Sequence, residues 1–105
     1  MNPSHQVSIA HNRFYNYDEL TVILRQLETA FPNLATLTSI GKTFLGRDIW
    51  VMTITNKSSG SDVEKPAYYI DAHIHAEEHT TSATALYAAS YLLEQYGTNP
   101  KVTML

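Results

Sequence analysis

The spacing of the apolar residues changes at Pro32, and that change limits the folds open to the chain. Before it, Leu20, Ile23, Leu24, Leu27 and Phe31 recur three and four apart, one stripe of a helix over residues 16–31. Asn16 suits the cap of that helix, and Glu19, three residues on, suits the reciprocal partner of a capping box. Pro32 stops it. After Pro32 the pattern is that of strands. Residues 34–43 mix Leu, Thr and Ile, and residues 48–55 carry Ile49, Trp50, Val51, Met52 and Ile54. The few residues between them include Gly46, which predicts an antiparallel hairpin. Residues 56–66 are polar and read as a surface loop.

A second apolar run, residues 67–74, predicts a buried strand. Thr80, Thr81 and Ser82 follow as candidate caps for a helix over residues 83–96. That helix is apolar on most sides, through Ala83, Ala85, Leu86, Ala88, Ala89, Leu92 and Leu93, and so is expected to be buried against the sheet. Gly97 and Pro100 are its stop signals. Helix, hairpin, strand and helix in this order point to an α/β domain with a layered, mixed sheet. No repeat, heptad or low-complexity segment interrupts it.

With 105 residues there is room for one small domain, and 44% hydrophobic against 16% charged residues suits a globular chain. A net charge of −3, with the seven basic residues scattered, gives no electrostatic reason to expect nucleic acid or an anionic membrane as partner. The chain has no cysteine, which excludes disulfides and thiolate metal sites and leaves the compartment open. The first residues show no signal-peptide pattern, and no run approaches the roughly 18 apolar residues of a membrane span.

One stretch carries chemistry. Three of the five histidines fall within Asp71-Ala72-His73-Ile74-His75-Ala76-Glu77-Glu78-His79, where a predicted strand gives way to a helix. Functional sites gather at strand ends, where exposed loops stand on rigid supports. Neutral imidazole and carboxylate both ligate zinc, and a His and a Glu three residues apart can converge on one ion. A solvated turn accounts for the same residues. Two metal motifs compete. His75…Glu78 is H-x-x-E; extended by one residue it becomes H-x-x-E-H, with His75 and His79 as ligands and Glu78 as base. The second needs a helix already formed at His75, but the residues before it are strand-like and the caps come after it. Context favours H-x-x-E. His73 and His75, two apart on a strand, would point to opposite faces.

These segments together resemble the zinc carboxypeptidases of the carboxypeptidase A type. Phe14-Tyr15-Asn16-Tyr17-Asp18-Glu19-Leu20 looks like that family's opening helix start. Ser39-Ile40-Gly41-Lys42-Thr43 and Leu45-Gly46-Arg47-Asp48-Ile49-Trp50 look like its first hairpin. Residues 66–76 are similar to its third strand and first ligand, and residues 86–100 to its next helix. The resemblance covers residues 14–105, preceded by a lead-in over residues 1–13. It implies a phosphorylase/hydrolase-like three-layer fold, a mixed sheet flanked by helices, of which the first strands and helices are present.

It also implies Zn2+ as cofactor, His75 and Glu78 as two of its ligands, and a peptide or protein C-terminus as substrate. The implied reaction releases C-terminal residues with a metal-activated water. The third ligand (a histidine), the general-base glutamate and the groups that hold the substrate carboxylate are expected downstream of Leu105. No catalytic residue is expected within this stretch, and the 105 residues alone are expected to be inactive. Two departures stand out. Glu77 replaces a common arginine and marks a possible outer substrate subsite, and His79 replaces a common tryptophan. His73 sits where Asn or Gly is commoner and is read as outer support or surface. The rival readings are a deacylase or cell-wall peptide hydrolase of the same superfamily, and a degenerate, non-catalytic module.

Overall fold

Helix α1, Tyr17–Ala30, begins as its sequence dictates. The Glu19 N–H donates to Asn16 Oδ1 at 2.8 Å, and the Asn16 N–H donates to Glu19 Oε1 at 2.9 Å. Arg13 closes on the other carboxylate oxygen of Glu19 at 2.7 Å. The computed structural model describes residues 7–75 and 77–104. Within these, Phe31 ends α1, its N–H bonding back to Leu27 O at 3.0 Å. The predicted stripe is the core-facing one. Ile23, Leu27 and Phe31 are buried, and Leu20 and Leu24 pack against them.

The Asn16 N–H, ahead of Arg13, holds the Glu19 carboxyl below the ordinary carboxylate range. Because the folded state binds this proton less tightly than the unfolded chain, the group stabilises the fold above that range. The contribution is lost as pH falls through the lowered folded value. Asn16→Ala is expected to cost about 1 kcal/mol at neutral pH. Glu19→Gln should flatten the acid limb of stability against pH, which urea unfolding at a series of pH values reads directly.

Strands β1, Ala35–Lys42, and β2, Asp48–Ile54, form the predicted antiparallel hairpin. Ala35 faces Ile54 and Leu37 faces Met52 on the side of the helices, while Thr36 faces Thr53 on the other. An irregularity between Ser39 and Lys42 re-aims the strand end. The connection turns through Gly46 at φ 79, with the Gly46 N–H on Thr43 O at 2.9 Å and the Thr43 N–H on Arg47 O at 2.8 Å. Only glycine takes that left-handed backbone freely. Two bonds pin α1 across the hairpin: Tyr17 Oη donates to Asp48 O at 2.8 Å, and Trp50 Nε1 donates to Thr21 Oγ1 at 3.0 Å.

Residues 56–66 form the expected polar loop, with two short 3-10 turns at Lys57–Ser59 and Asp62–Glu64. Lys57 Nζ donates to the carbonyls of Pro32 and Ala35, at 2.6 and 3.0 Å, and Asn56 Nδ2 donates to Tyr96 Oη at 2.8 Å. The loop therefore ties the hairpin to both long helices.

Residues 67–74 depart from expectation. They form no strand, and the only sheet among the described residues is the two-stranded β1–β2. Tyr68 and Tyr69 are 91% and 81% exposed, and Ile70 and Ile74 are exposed as well. The run has the composition of a buried strand, but burial requires a neighbouring ladder and a covering layer, and the described residues supply neither at this place. The third strand that the resemblance implies is therefore not formed here.

Helix α2, His79–Gln95, starts four residues earlier than predicted. Thr80, Thr81 and Ser82 are not its caps but its first turn. The Thr81 and Ser82 hydroxyls donate backwards, to Glu78 O at 2.7 Å and His79 O at 3.2 Å. A hydroxyl bonding to a preceding carbonyl is compatible with helix, so these residues were free to continue one as well as to start it. Its buried positions are a single stripe, Leu86, Ser90 and Leu93, rather than most of its circumference. The alanines between leave Tyr87 and Tyr91 outside. A short helix α3, Pro100–Thr103, follows Gly97 and is capped by Asn99.

The core lies where these elements meet. Leu27, Ile23 and Phe31 of the first helical segment, Ala35 of the hairpin and Leu86 and Leu93 of α2 form one buried cluster. Val7 and Ile9 of the leading segment also pack against it. The result is a mixed α/β unit, a helix-covered antiparallel hairpin. None of its described helices is long and apolar enough to cross a membrane.

Candidate metal centre

The chemistry-bearing stretch lies between the extended run and α2. The backbone turns left-handed at His73, φ 62, bends at Ile74 and His75, and enters the helix at His79 with Glu78 as the capping position. His75 and Glu78 bond to each other twice. The Glu78 N–H donates to His75 O at 3.0 Å, closing the turn, and the His75 N–H donates to Glu78 Oε1 at 3.1 Å. Glu78 thus caps a turn that it also terminates. His75 and Glu77 are exposed, and Glu78 is half-buried.

This geometry bears on the two motifs. H-x-x-E-H needs His75 and His79 one helical turn apart on the same helix, but α2 begins at His79, so that arrangement is not formed. The H-x-x-E pair instead occupies one closed turn at the helix mouth. His73 and His75 do not alternate across a strand, because no strand is present there.

The donor types suit zinc. One imidazole and one carboxylate belong to the ligands it takes, and a carboxylate with one oxygen on a backbone N–H keeps a second for a metal. The number is short of a complete site. Among the described residues no group of three His, Cys, Asp or Glu side chains is placed to hold an ion. The pair therefore fits as part of a site whose remaining donor comes from elsewhere. Glu77, next to the pair, has no hydrogen-bond or ion-pair partner among the described residues that fixes a role for it.

Around the turn lie three rings whose mutual contacts the spacing did not predict. His73 Nδ1 is 3.2 Å from Ser82 Oγ, and the His73 N–H donates to Thr81 Oγ1 at 2.8 Å. The His79 ring meets the His73 ring edge-on, centroids 5.4 Å apart, and stacks on Phe14, also at 5.4 Å. The sequence signal was the unusual residue type at positions 73 and 79. What no spacing rule could supply was Phe14, which approaches from 65 residues away in the chain, counted from His79.

Comparison with known proteins agrees with the resemblance seen in the sequence. The family model described as zinc carboxypeptidase matches residues 20–105. A zinc carboxypeptidase of Saccharothrix mutabilis subsp. capreolus is 32% identical over 92 residues, which are 88% of this chain and 21% of the relative. Carboxypeptidase D of Homo sapiens is 32% identical over 102 residues, 97% of this chain and 7% of the relative. An inactive metallocarboxypeptidase of Saccharomyces cerevisiae is 33% identical over 92 residues, 88% of this chain and 21% of the relative. The chain belongs to the zinc carboxypeptidase family. It spans 21% of the length of two of these relatives and 7% of the third.

Proposed function

We propose that residues 14–105 are the N-terminal part of a zinc carboxypeptidase catalytic domain in which His75 and Glu78 are two of the zinc ligands. The observation that supports this best is the closed His75–Glu78 turn at the mouth of α2, inside the matched region. Zinc held there would supply a Lewis acid and a water of lowered pKa for hydrolysis of a C-terminal peptide bond. The chain's own part is narrower. His75 would give a ring nitrogen, Glu78 an oxygen, and the hairpin–helix core holds the turn that carries both. A third ligand and a general base must come from outside the described residues, since catalytic zinc takes three protein ligands. The substrate is a peptide or protein C-terminus, and Glu77 would face its upstream residues.

A second reading keeps the fold and drops the chemistry. It is favoured by one specific observation, the similarity to a relative named as inactive. One experiment separates the two. The complete gene product, purified with zinc, is expected to release C-terminal amino acids from a mixed peptide set, and to stop on chelation and restart on zinc addition. Peptides left intact with zinc bound would favour a deacylase, a cell-wall peptide hydrolase or a non-catalytic module. The 105-residue chain alone is expected to release nothing.

A further inference from the structure

A metal pair on an exposed turn needs support from outside the turn. Ligands must hold their geometry to within a few tenths of an ångström, and outer partners commonly set that precision. Here His75 is exposed and its fixed bonds are to Glu78, the other half of the pair. These bonds hold the two residues to each other but do not hold the turn to the fold.

The two stems of the turn are joined ring to ring. His73 stands two residues before His75, and His79 one residue after Glu78; their rings meet edge-on at 5.4 Å and 76°. Each stem is also anchored separately. His73 is tied to the first turn of α2 through Thr81 Oγ1 at 2.8 Å and Ser82 Oγ at 3.2 Å. The His79 ring also lies against Phe14, stacked at 28° with centroids 5.4 Å apart. Phe14 precedes α1, whose capping residue Asn16 is only two positions on. The stack therefore links the mouth of α2 to the start of α1.

The backbone at His73 sharpens the point. Its φ of 62 is a conformation that glycine takes freely and other residues take at a cost. A histidine there is explained by its ring, not by its backbone. We propose that His79, held between Phe14 and His73, is a positioning residue that fixes the separation and orientation of His75 and Glu78, with Phe14 as its brace. The inference rests on the reading of His75 and Glu78 as zinc ligands. Its distinctive element is Phe14, which precedes the residues 20–105 that the family model matches, although it falls within the wider resemblance.

The test uses the complete gene product, with zinc affinity measured by competition against a chromophoric chelator and ligand geometry by the visible spectrum of the cobalt-substituted protein. Phe14→Ala and His79→Ala are expected to weaken zinc by about 10–100-fold, with unchanged stoichiometry and altered cobalt bands. His73→Gly should do the same although it relieves the backbone. His79→Phe keeps a stacking ring that cannot ligate, and should return affinity to within about threefold of wild type. Thermal unfolding of each metal-free variant checks folding; Phe14 is already 57% exposed, so Phe14→Ala remains informative if His79→Ala does not fold.

Two results overturn the inference while leaving the ligand reading intact. One is wild-type affinity and spectra in all three ring deletions while His75→Ala abolishes binding. The other is His79→Phe as weak as His79→Ala, which would make His79 a polar contact or ligand instead of a brace. Zinc retained in His75→Ala overturns the ligand reading itself, and the inference falls with it.

Discussion

Leu27→Ala is expected to destabilise the chain by about 2–5 kcal/mol, the range for removing a fully buried leucine without collapse of its surroundings. Leu27 has no exposed surface and sits on the predicted stripe of α1, with Ile23 and Phe31 on either side. The same cluster takes Ala35 from the hairpin and Leu86 and Leu93 from α2, so one side chain meets all three elements' shared core. Small domains are stable by only about 5–15 kcal/mol in total, so this substitution removes a large share. It should lower the midpoint of urea unfolding at unchanged slope. Val22→Ala, on the same helix but 55% exposed, should move it by no more than about 0.5 kcal/mol. If the two substitutions had equal effects, α1 would not bury the stripe its sequence encodes.

How far the sequence could be read depended on where each element finds its partners. Helix α1 was legible to within a residue because its signals are local. Asn16 and Glu19 bond to each other, Pro32 follows at once, and the stripe needs only one surface to bury. The hairpin was legible for the same reason, its register being set by a short turn through Gly46. Residues 67–74 were not, because a central strand is defined by its neighbours. Tyr68-Tyr69-Ile70 has the right composition, and composition does not supply a ladder. The start of α2 was misplaced because Thr and Ser hydroxyls serve equally to cap a helix and to bond back within its first turn. The burial of α2 was overestimated because alanine counts as apolar yet fills little space, so Leu86 and Leu93 do most of the packing.

The candidate site was legible in its donors and not in its support. His75 and Glu78 stand three residues apart in the sequence and declare their chemistry by type and spacing. Phe14, His73 and His79 come together only through the fold, which brings the approach to α1 alongside the mouth of α2. Electrostatics elsewhere follows the local pattern: Lys42, and then Ser39, hold the Asp48 carboxyl below its ordinary range at the base of the hairpin. That group is only partly exposed, and its role is to fasten the strand ends rather than to carry chemistry.

Glu78→Gln is the substitution expected to separate the two jobs proposed for Glu78. In the structure its carboxylate accepts the His75 N–H at 3.1 Å, and the carbonyl oxygen of a glutamine side chain accepts the same bond. The turn and the start of α2 should therefore survive, and the metal-free thermal midpoint should lie within about 2 °C of wild type, as for a surface change of no more than a few tenths of a kcal/mol. What glutamine lacks is the negative charge that binds zinc. Zinc affinity should fall by more than about 100-fold, beyond the ~10–100-fold typical of an outer partner. Glu78→Ala should lose the metal to the same degree and in addition loosen the turn, through the unsatisfied His75 N–H. Chelator competition and thermal unfolding on the same three proteins distinguish these outcomes. A glutamine variant that held zinc as tightly as wild type would reduce Glu78 to a cap, and the pair to a well-made turn.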